Sequence, residues 1–330
     1  MAGNSLNQWS WSEIEARTGK DGQLKKEVNL LVENHPILQD APVRESQLVN
    51  GEEFDMTTSL PQPYLMARGE GRAATKGQIQ HGSDGVAWVG NQLRVNTEFL
   101  EMPNAQAWLT NEEMKYMEGM TQAVVEMLFS GSTATNPKEF NGLEIRYDTI
   151  TDNEVYDNGA STASSLTDIW LIQWDSFDCC MIYPKGEQGG FQRKQLANVA
   201  LPTETDSDNA VPDSQKKLAD FMRVNFDWKG GLCLRDRRRI KRITNIHKDD
   251  DNANAFDIKI FRKAKNAFDT PGQIYAYMHP DIKTQIENAA DDKGNVSYPP
   301  NQPFAKPVEY VSDIPIRPDR RIALTGSQIT

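Results

Sequence analysis

NEEMKYMEGMTQAVVEMLFSGSTATNPKEFNG, residues 111–142, joins a capped amphipathic helix to a loop of small residues and then to a new extended segment. Thr110 and Glu113 stand at capping-box spacing, where the hydroxyl accepts from the backbone near Glu113 and the carboxylate reaches back to the cap. Met114, Met117, Val124, Val125 and Leu128 recur on one helical face. Ser130 and Gly131 supply a C-terminal stop, and Pro137 prevents the helix from resuming. The spacing predicts a rod over residues 111–130 with one buried stripe. Nothing in it pairs a nucleophile with a base.

Upstream of the rod the pattern changes. From about residue 45 to 97, short extended pieces at 53–59, 65–68, 78–81 and 86–95 alternate with glycines and with Pro61 and Pro63. Proline removes a ladder donor and glycine favours turns, so these pieces predict a long two-stranded excursion. Such a ribbon satisfies its own hydrogen bonds yet buries little, which leaves it marginal until it lies on another surface. A hairpin folded back on its own core is the ordinary alternative. Residues 1–11 read as a loose arm carrying Trp9 and Trp11. A helical start at Ser12 is broken by Gly19 and Gly22, and a helix over 23–33 places Leu24, Val28, Leu31 and Val32 on one face.

Downstream of the rod, strands are expected at 143–147, 168–175, 178–183, 231–246, 273–278, 308–316 and 321–324. Helices are expected at 255–268 and from Pro280 to about 290. The segment holding Leu218, Phe221, Met222 and Val224 fits either helix or strand.

With 330 residues the chain has room for two average domains, or for one core with long excursions. A hydrophobic share of 38% excludes a wholly disordered chain, and a charged share of 25% keeps much of the surface polar. The net charge of -11 argues against a protein that coats nucleic acid, because phosphate binding rests on a basic surface. Solubility is the simplest account of that charge. Cys179, Cys180 and Cys233 have no metal-ligand spacing, and adjacent cysteines make an awkward disulfide, which points to a reducing compartment. The first ten residues lack the basic-then-apolar order of a signal peptide, and no apolar run approaches a membrane span.

The densest charge lies at Arg235, Arg237, Arg238, Arg239, Lys241 and Arg242. On a continuous strand, Arg235, Arg237, Arg239 and Lys241 would project to one side and Asp236, Arg238, Ile240 and Arg242 to the other. Three roles are open to that band: pairing with carboxylates of a neighbouring subunit, contacting DNA, or remaining solvated. Subunit pairing leads because the rest of the chain is acidic. Gly69-Glu70-Gly71-Arg72-Ala73-Ala74 imitates a dinucleotide-binding turn, but no amphipathic helix follows it, so it reads as a loop tip with Lys76 beside it. Asp250, Asn252 and Asn254 imitate the opening of a calcium loop, yet Ala255 and Phe261 occupy the places that need glycine and glutamate. His35, His81, His247 and His279 are scattered. No catalytic residue, metal ligand or cofactor site is assigned.

Residues 17–22 (RTGKDG) lead into Leu24, Val28, Leu30, Leu31, Asn34, Pro36, Ile37, Leu38 and Asp40, and residues 131–137 (GSTATNP) into Phe140, Gly142 and Leu143. Then come Ile182-Tyr183-Pro184-Lys185-Gly186, Gly231-Leu232-Cys233-Leu234-Arg235-Asp236 and Ser312-Asp313-Ile314-Pro315-Ile316-Arg317. In this order and over nearly the whole chain, they resemble the major capsid proteins of short-tailed and related bacteriophages, shells of the HK97-like fold. The resemblance implies a non-enzymatic α+β protein with an N-terminal arm and helix (1–44), an extended loop (45–97), a peripheral domain with the long helix 111–130 (98–200), and an axial domain with return strands (201–330). It further implies self-assembly into hexamers and pentamers of an icosahedral head around double-stranded DNA, held by weak non-specific contact. A separate scaffolding protein, a portal protein and a decoration protein are the other implied partners. The implied location is the virion, with assembly in the host bacterial cytoplasm and no membrane. Arg68, Arg72 and Lys76 in the loop, with Arg237 and Arg239 in the basic band, are the expected contacts between subunits. A nucleic-acid-binding structural protein and a hydrolase with a hidden site are the competing classes.

Overall fold

A computed structural model describes residues 33, 35–72, 74–102, 105–161, 165–202, 218–250, 254–291 and 310–330. The arm, Trp9, Trp11 and the expected helix over 23–33, except for Glu33, lie outside the described residues. The chain divides into two compact units assembled from separated segments: among the described residues, those of 88–124 and 190–229 fall in one, and those of 34–87, 125–189 and 230–330 in the other. The units interleave along the chain and do not follow contiguous blocks such as 98–200 and 201–330.

In the first unit, β4 (Ala87–Asn96), β8 (Phe191–Pro202) and the first part of β9 (Leu218–Leu234) form a sheet. Antiparallel pairing of β8 with β9 runs from Phe191 opposite Trp228 to Pro202 opposite Leu218. Leu93, Val95, Phe221, Val224 and Phe226 are buried in this unit. The segment that fitted either helix or strand is therefore strand, and β8 was not foreseen. A 3-10 turn, Thr97–Glu101, is capped by the Asn96 side chain and leads to the long helix α2 (Ala105–Ser130). This helix starts a full turn and more before the expected point. Trp108 and Leu109 are buried, which draws the first turns into the fold, and the Thr110 hydroxyl donates back to Gln106 instead of capping. Trp108, Leu109, Met120 and Val124 supply buried positions, whereas Met114 and Met117 are exposed. The expected stripe is thus rotated: it continues into the second unit through Val125, Leu128 and Phe129.

The second unit is built on a six-stranded sheet. Its strands are β5 (Val155–Asp157), β6 (Leu166–Ile172), β10 (Ile240–His247), β11 (Tyr275–Met278), β12 (Tyr310–Val311) and β13 (Ile314–Pro318), in the order β12-β13-β11-β6-β10-β5. Central β6 is buried on both faces, as the apolar run Ile169–Ile172 requires. On one face Ile169, Leu171, Ile243 and Ala276 pack with Phe261 and Ala264 of α4 (Ile258–Asn266) and with Ile282 and Ile286 of α5 (Pro280–Asp291). On the other, Trp170 meets Tyr147 edge-on at 6.1 Å. The remaining elements are α1 (Pro36–Asp40), α3 (Leu143–Arg146), β1 (Val43–Glu45), β7 (Cys179–Tyr183) and an isolated ribbon of β2 (Gly51–Ser59) with β3 (Gln78–Gly85).

Four strands expected downstream of the long helix are corrected, and the one over 308–316 folds at Ser312 and Asp313, both at positive φ, into the β12–β13 hairpin. Residues 143–146 are helical, and the Arg146 side chain turns back to the Asn141 carbonyl. Residues 321–324 form bends. The strand expected over 231–246 breaks at Arg237–Arg239, a 3-10 turn. Asp236 causes the break by capping that turn through the backbone N–H of Arg238, and the Tyr147 hydroxyl fixes the Arg237 carbonyl at 2.7 Å.

Candidate functional site

The β2–β3 ribbon rises from a root held by buried ion pairs. In register, Glu52 of β2 stands directly opposite Asp84 of β3. Two like charges in a cross-strand pair repel, so each needs its own counter-charge. Arg44 donates to fully buried Glu52 at 2.7 Å, and Arg235 donates to the same oxygen. Burial pushes the Glu52 pKa up, but the two guanidiniums outweigh it and hold the carboxyl below its ordinary value. Arg146 pairs with Asp84 at 2.7 Å, and the Leu234 backbone N–H donates to it at the same distance. Two glycines let the backbones approach this closely. A Cβ on Gly51, whose φ is +145°, would lie 2.0 Å from the Asp84 carbonyl, and one on Gly231 would lie 2.2 Å from the Gly85 carbonyl.

Over this root lies Phe177, half exposed, with the Arg235 guanidinium 3.9 Å and that of Arg44 5.3 Å from its ring centre. Asp175 holds the Phe177 turn by accepting from the backbone N–H groups of Asp178 and Phe177, and those bonds lower its pKa. Between the ribbon and this turn opens a cleft of about 1580 Å³, lined by Phe54, Met56 and Leu60 on one wall and Phe177, Arg237 and Arg238 on the other.

Beyond Ser59 the ribbon gives way to an irregular tip, and residues 65–68 are not a strand. Leu65 is fully exposed, and Leu60, Tyr64 and Met66 are also open to solvent. Arg68, Arg72 and Lys76 are exposed among them. Gly69 turns the tip at φ +94°, and the Glu70 carboxylate accepts from the Ala67 N–H at 2.7 Å. The last strand of the expected excursion, β4, does not belong to the projection, since Leu93 and Val95 are core residues.

The basic band is dispersed within the chain. Arg237 pairs with Asp152 at 2.8 Å, Arg238 with Asp236 at 2.9 Å and Arg239 with Asp178 at 2.9 Å. Lys241 is buried 3.8 Å from Glu154, and burial lowers its pKa despite that partner. Arg242 pairs with Asp168, donates to the Tyr147 carbonyl at 2.6 Å and lies over Trp170. Of the five expected contact residues, Arg68, Arg72 and Lys76 are exposed along the tip, and Arg237 and Arg239 are set in intrachain pairs. Glu52, Asp84, Arg44 and Arg146 were missed, because only the folded chain brings residues so far apart in sequence together.

Asn252 of the imitation calcium loop lies outside the described residues, while Asp250 accepts from Asn288. No cluster of three metal-ligating side chains occurs among the described residues, and none of their helices is long and apolar enough to cross a membrane.

The family model for major capsid protein GP7 matches residues 19–330. The chain belongs to this capsid family. A solved structure of bacteriophage Epsilon15 is similar with a TM-score of 0.77 and 21% identity, over 100% of this chain and 99% of that one. Lower similarity links the capsid of bacteriophage JBD30 decorated with minor capsid protein trimers (TM-score 0.47, 12% identity, 89% of this chain and 93% of that) and mycobacterium phage Adephagia (0.44, 8%, 72% and 97%). No curated protein matches. This GP7-family chain has the α+β, HK97-like capsid fold and a shell-forming structural role, self-assembling into a capsid lattice as part of the virion. Neither the nucleic-acid-binding nor the hydrolase reading gains support.

Proposed function

We propose that this capsid protein builds hexamers and pentamers of an icosahedral head around double-stranded DNA, each copy laying its β2–β3 ribbon over a neighbour. The observation that carries the reading is the contrast along one ribbon: a root locked by buried charge and a tip that leaves Leu60, Leu65 and Met66 exposed among the described residues. A rigidly aimed apolar tip is complementary to a sister surface, and repeated modest contacts then add up through closed symmetry. Arg68, Arg72 and Lys76 are the direct contacts. Arg237 and Arg239 act on assembly indirectly, Arg237 by lining the cleft beneath the ribbon and Arg239 by holding Asp178 of its wall. The β4, α2, β8 and β9 unit takes the peripheral role, and the six-stranded unit the axial one. Its work is association and not bond chemistry. Assembly takes place in the host cytoplasm with a separate scaffolding protein, and the finished shell carries a portal and accepts a decoration protein.

Electron microscopy tests this directly. With its scaffold, the chain gives closed shells, whereas a variant with residues 61–76 replaced by Asn-Gly stays folded and gives none. Shells of normal yield from the shortened ribbon overturn the reading.

A further inference from the structure

We propose that Cys180 and Cys233 form an oxidation site that closes to a cross-strand disulfide under hydrogen peroxide, while neighbouring Cys179 remains reduced. Pairing of β7 with β9 sets Cys180 directly opposite Cys233. Opposed residues of antiparallel strands have Cα atoms about 4.5–5.5 Å apart, inside the roughly 4.4–6.8 Å that a disulfide spans. One guanidinium contacts both sulfurs: Arg44 Nε lies 3.1 Å from Cys180 Sγ, and its Nη2 lies 3.5 Å from Cys233 Sγ. The pair is polarised. A hydrogen bond from Cys233 lowers the Cys180 pKa against the effect of burial, with Arg44 assisting, and the same hydrogen bond raises that of Cys233. Cys180 is therefore the better nucleophile. Cys179 points to the opposite face of its strand, lies opposite Leu234, and has its pKa pushed up by burial.

The chemistry closes with peroxide as oxidant. The Cys180 thiolate attacks one peroxide oxygen; an S–O bond forms, the O–O bond breaks, and hydroxide departs and takes up a proton to leave as water. The Cys233 sulfur, giving up its proton, then attacks the Cys180 sulfur; the S–S bond forms, the S–O bond breaks and a second water leaves. Two thiols lose two electrons and two protons, and peroxide becomes two waters. All three cysteines are buried, so the site suits a small oxidant.

The inference is independent of how the subunits assemble. The folded full chain is exposed to peroxide, quenched, denatured, alkylated and digested for peptide mass analysis. A linked Cys180–Cys233 peptide with alkylated Cys179 is expected. In Cys233→Ser the link is absent and a sulfenic-acid probe labels Cys180. Arg44→Met slows linkage several-fold, because Cys180 loses the guanidinium that favours its thiolate. Full alkylation of both cysteines after peroxide, linkage through Cys179, or linkage appearing only when denaturant is present during oxidation would each overturn it.

Discussion

Glu52 shows how much one residue can be asked to hold. Its carboxylate faces another across the ribbon, is fully buried, and receives two arginines. Removing one partner of a buried pair costs about 3–5 kcal/mol, mostly from the charge left behind, so Glu52→Ala, which strands two guanidiniums, is expected to lose at least that in denaturant unfolding of the isolated subunit. The pH dependence follows from the sign of the shift. Because the folded pKa lies below the ordinary 4.5, the stabilisation is complete above 4.5 and disappears as pH falls through the depressed value. Thermal melts of Glu52→Gln should accordingly be flatter than wild type on the acid limb, and identical slopes in that window would remove Glu52 from the account. None of this was legible from residue spacing, since Arg44, Glu52 and Arg235 meet only through folding. The run from Arg235 to Arg242 was conspicuous in sequence, but its alternation failed where Asp236 capped a turn within it.

At the scale of elements, periodicity found the long helix and missed its phase. The inward residues step by four through Trp108, Glu112, Tyr116, Met120, Val124 and Leu128, a row that drifts around a helix of 3.6 residues per turn. Buried Glu112 concealed the repeat, because a carboxylate on the inner face is readable only once Lys115 is seen pairing with it at 2.7 Å. Met114 and Met117 looked apolar enough to replace it, yet both are exposed. The two faces predict different costs. Leu128→Ala is expected to destabilise by about 2–5 kcal/mol as a buried truncation, and Met114→Ala by less than about 0.5 kcal/mol, in urea unfolding of the subunit. Equal losses would mean that the stripe has been assigned to the wrong side. The ribbon was more legible, because prolines, glycines and sparse apolar residues describe an element that cannot support itself. Its inner boundary was harder to place, since β4 has the same extended pattern and differs only in being covered.

For the whole molecule, the order of motifs along the chain carried more than any one motif, which is why family and fold were readable while the division into units was not. Long elements such as α2 and β9 run from one compact unit into the other, so spatial units do not follow sequence blocks. Net charge operates at this same scale. A chain at -11 repels its copies, and exposed cations on a projecting tip oppose that repulsion where copies meet. Exposed ion pairs contribute about 0.2–1 kcal/mol each, so converting Arg68, Arg72 and Lys76 to alanine together removes roughly 1.5 kcal/mol per contact and raises the concentration needed for assembly about tenfold. Screening sharpens the expectation. At high salt the wild-type tip loses most of its electrostatic advantage, so light scattering should show the two proteins converging there and separating at low salt. If the gap persists unchanged as salt rises, the tip grips through Leu60, Tyr64, Leu65 and Met66 alone, and its cations serve only solubility.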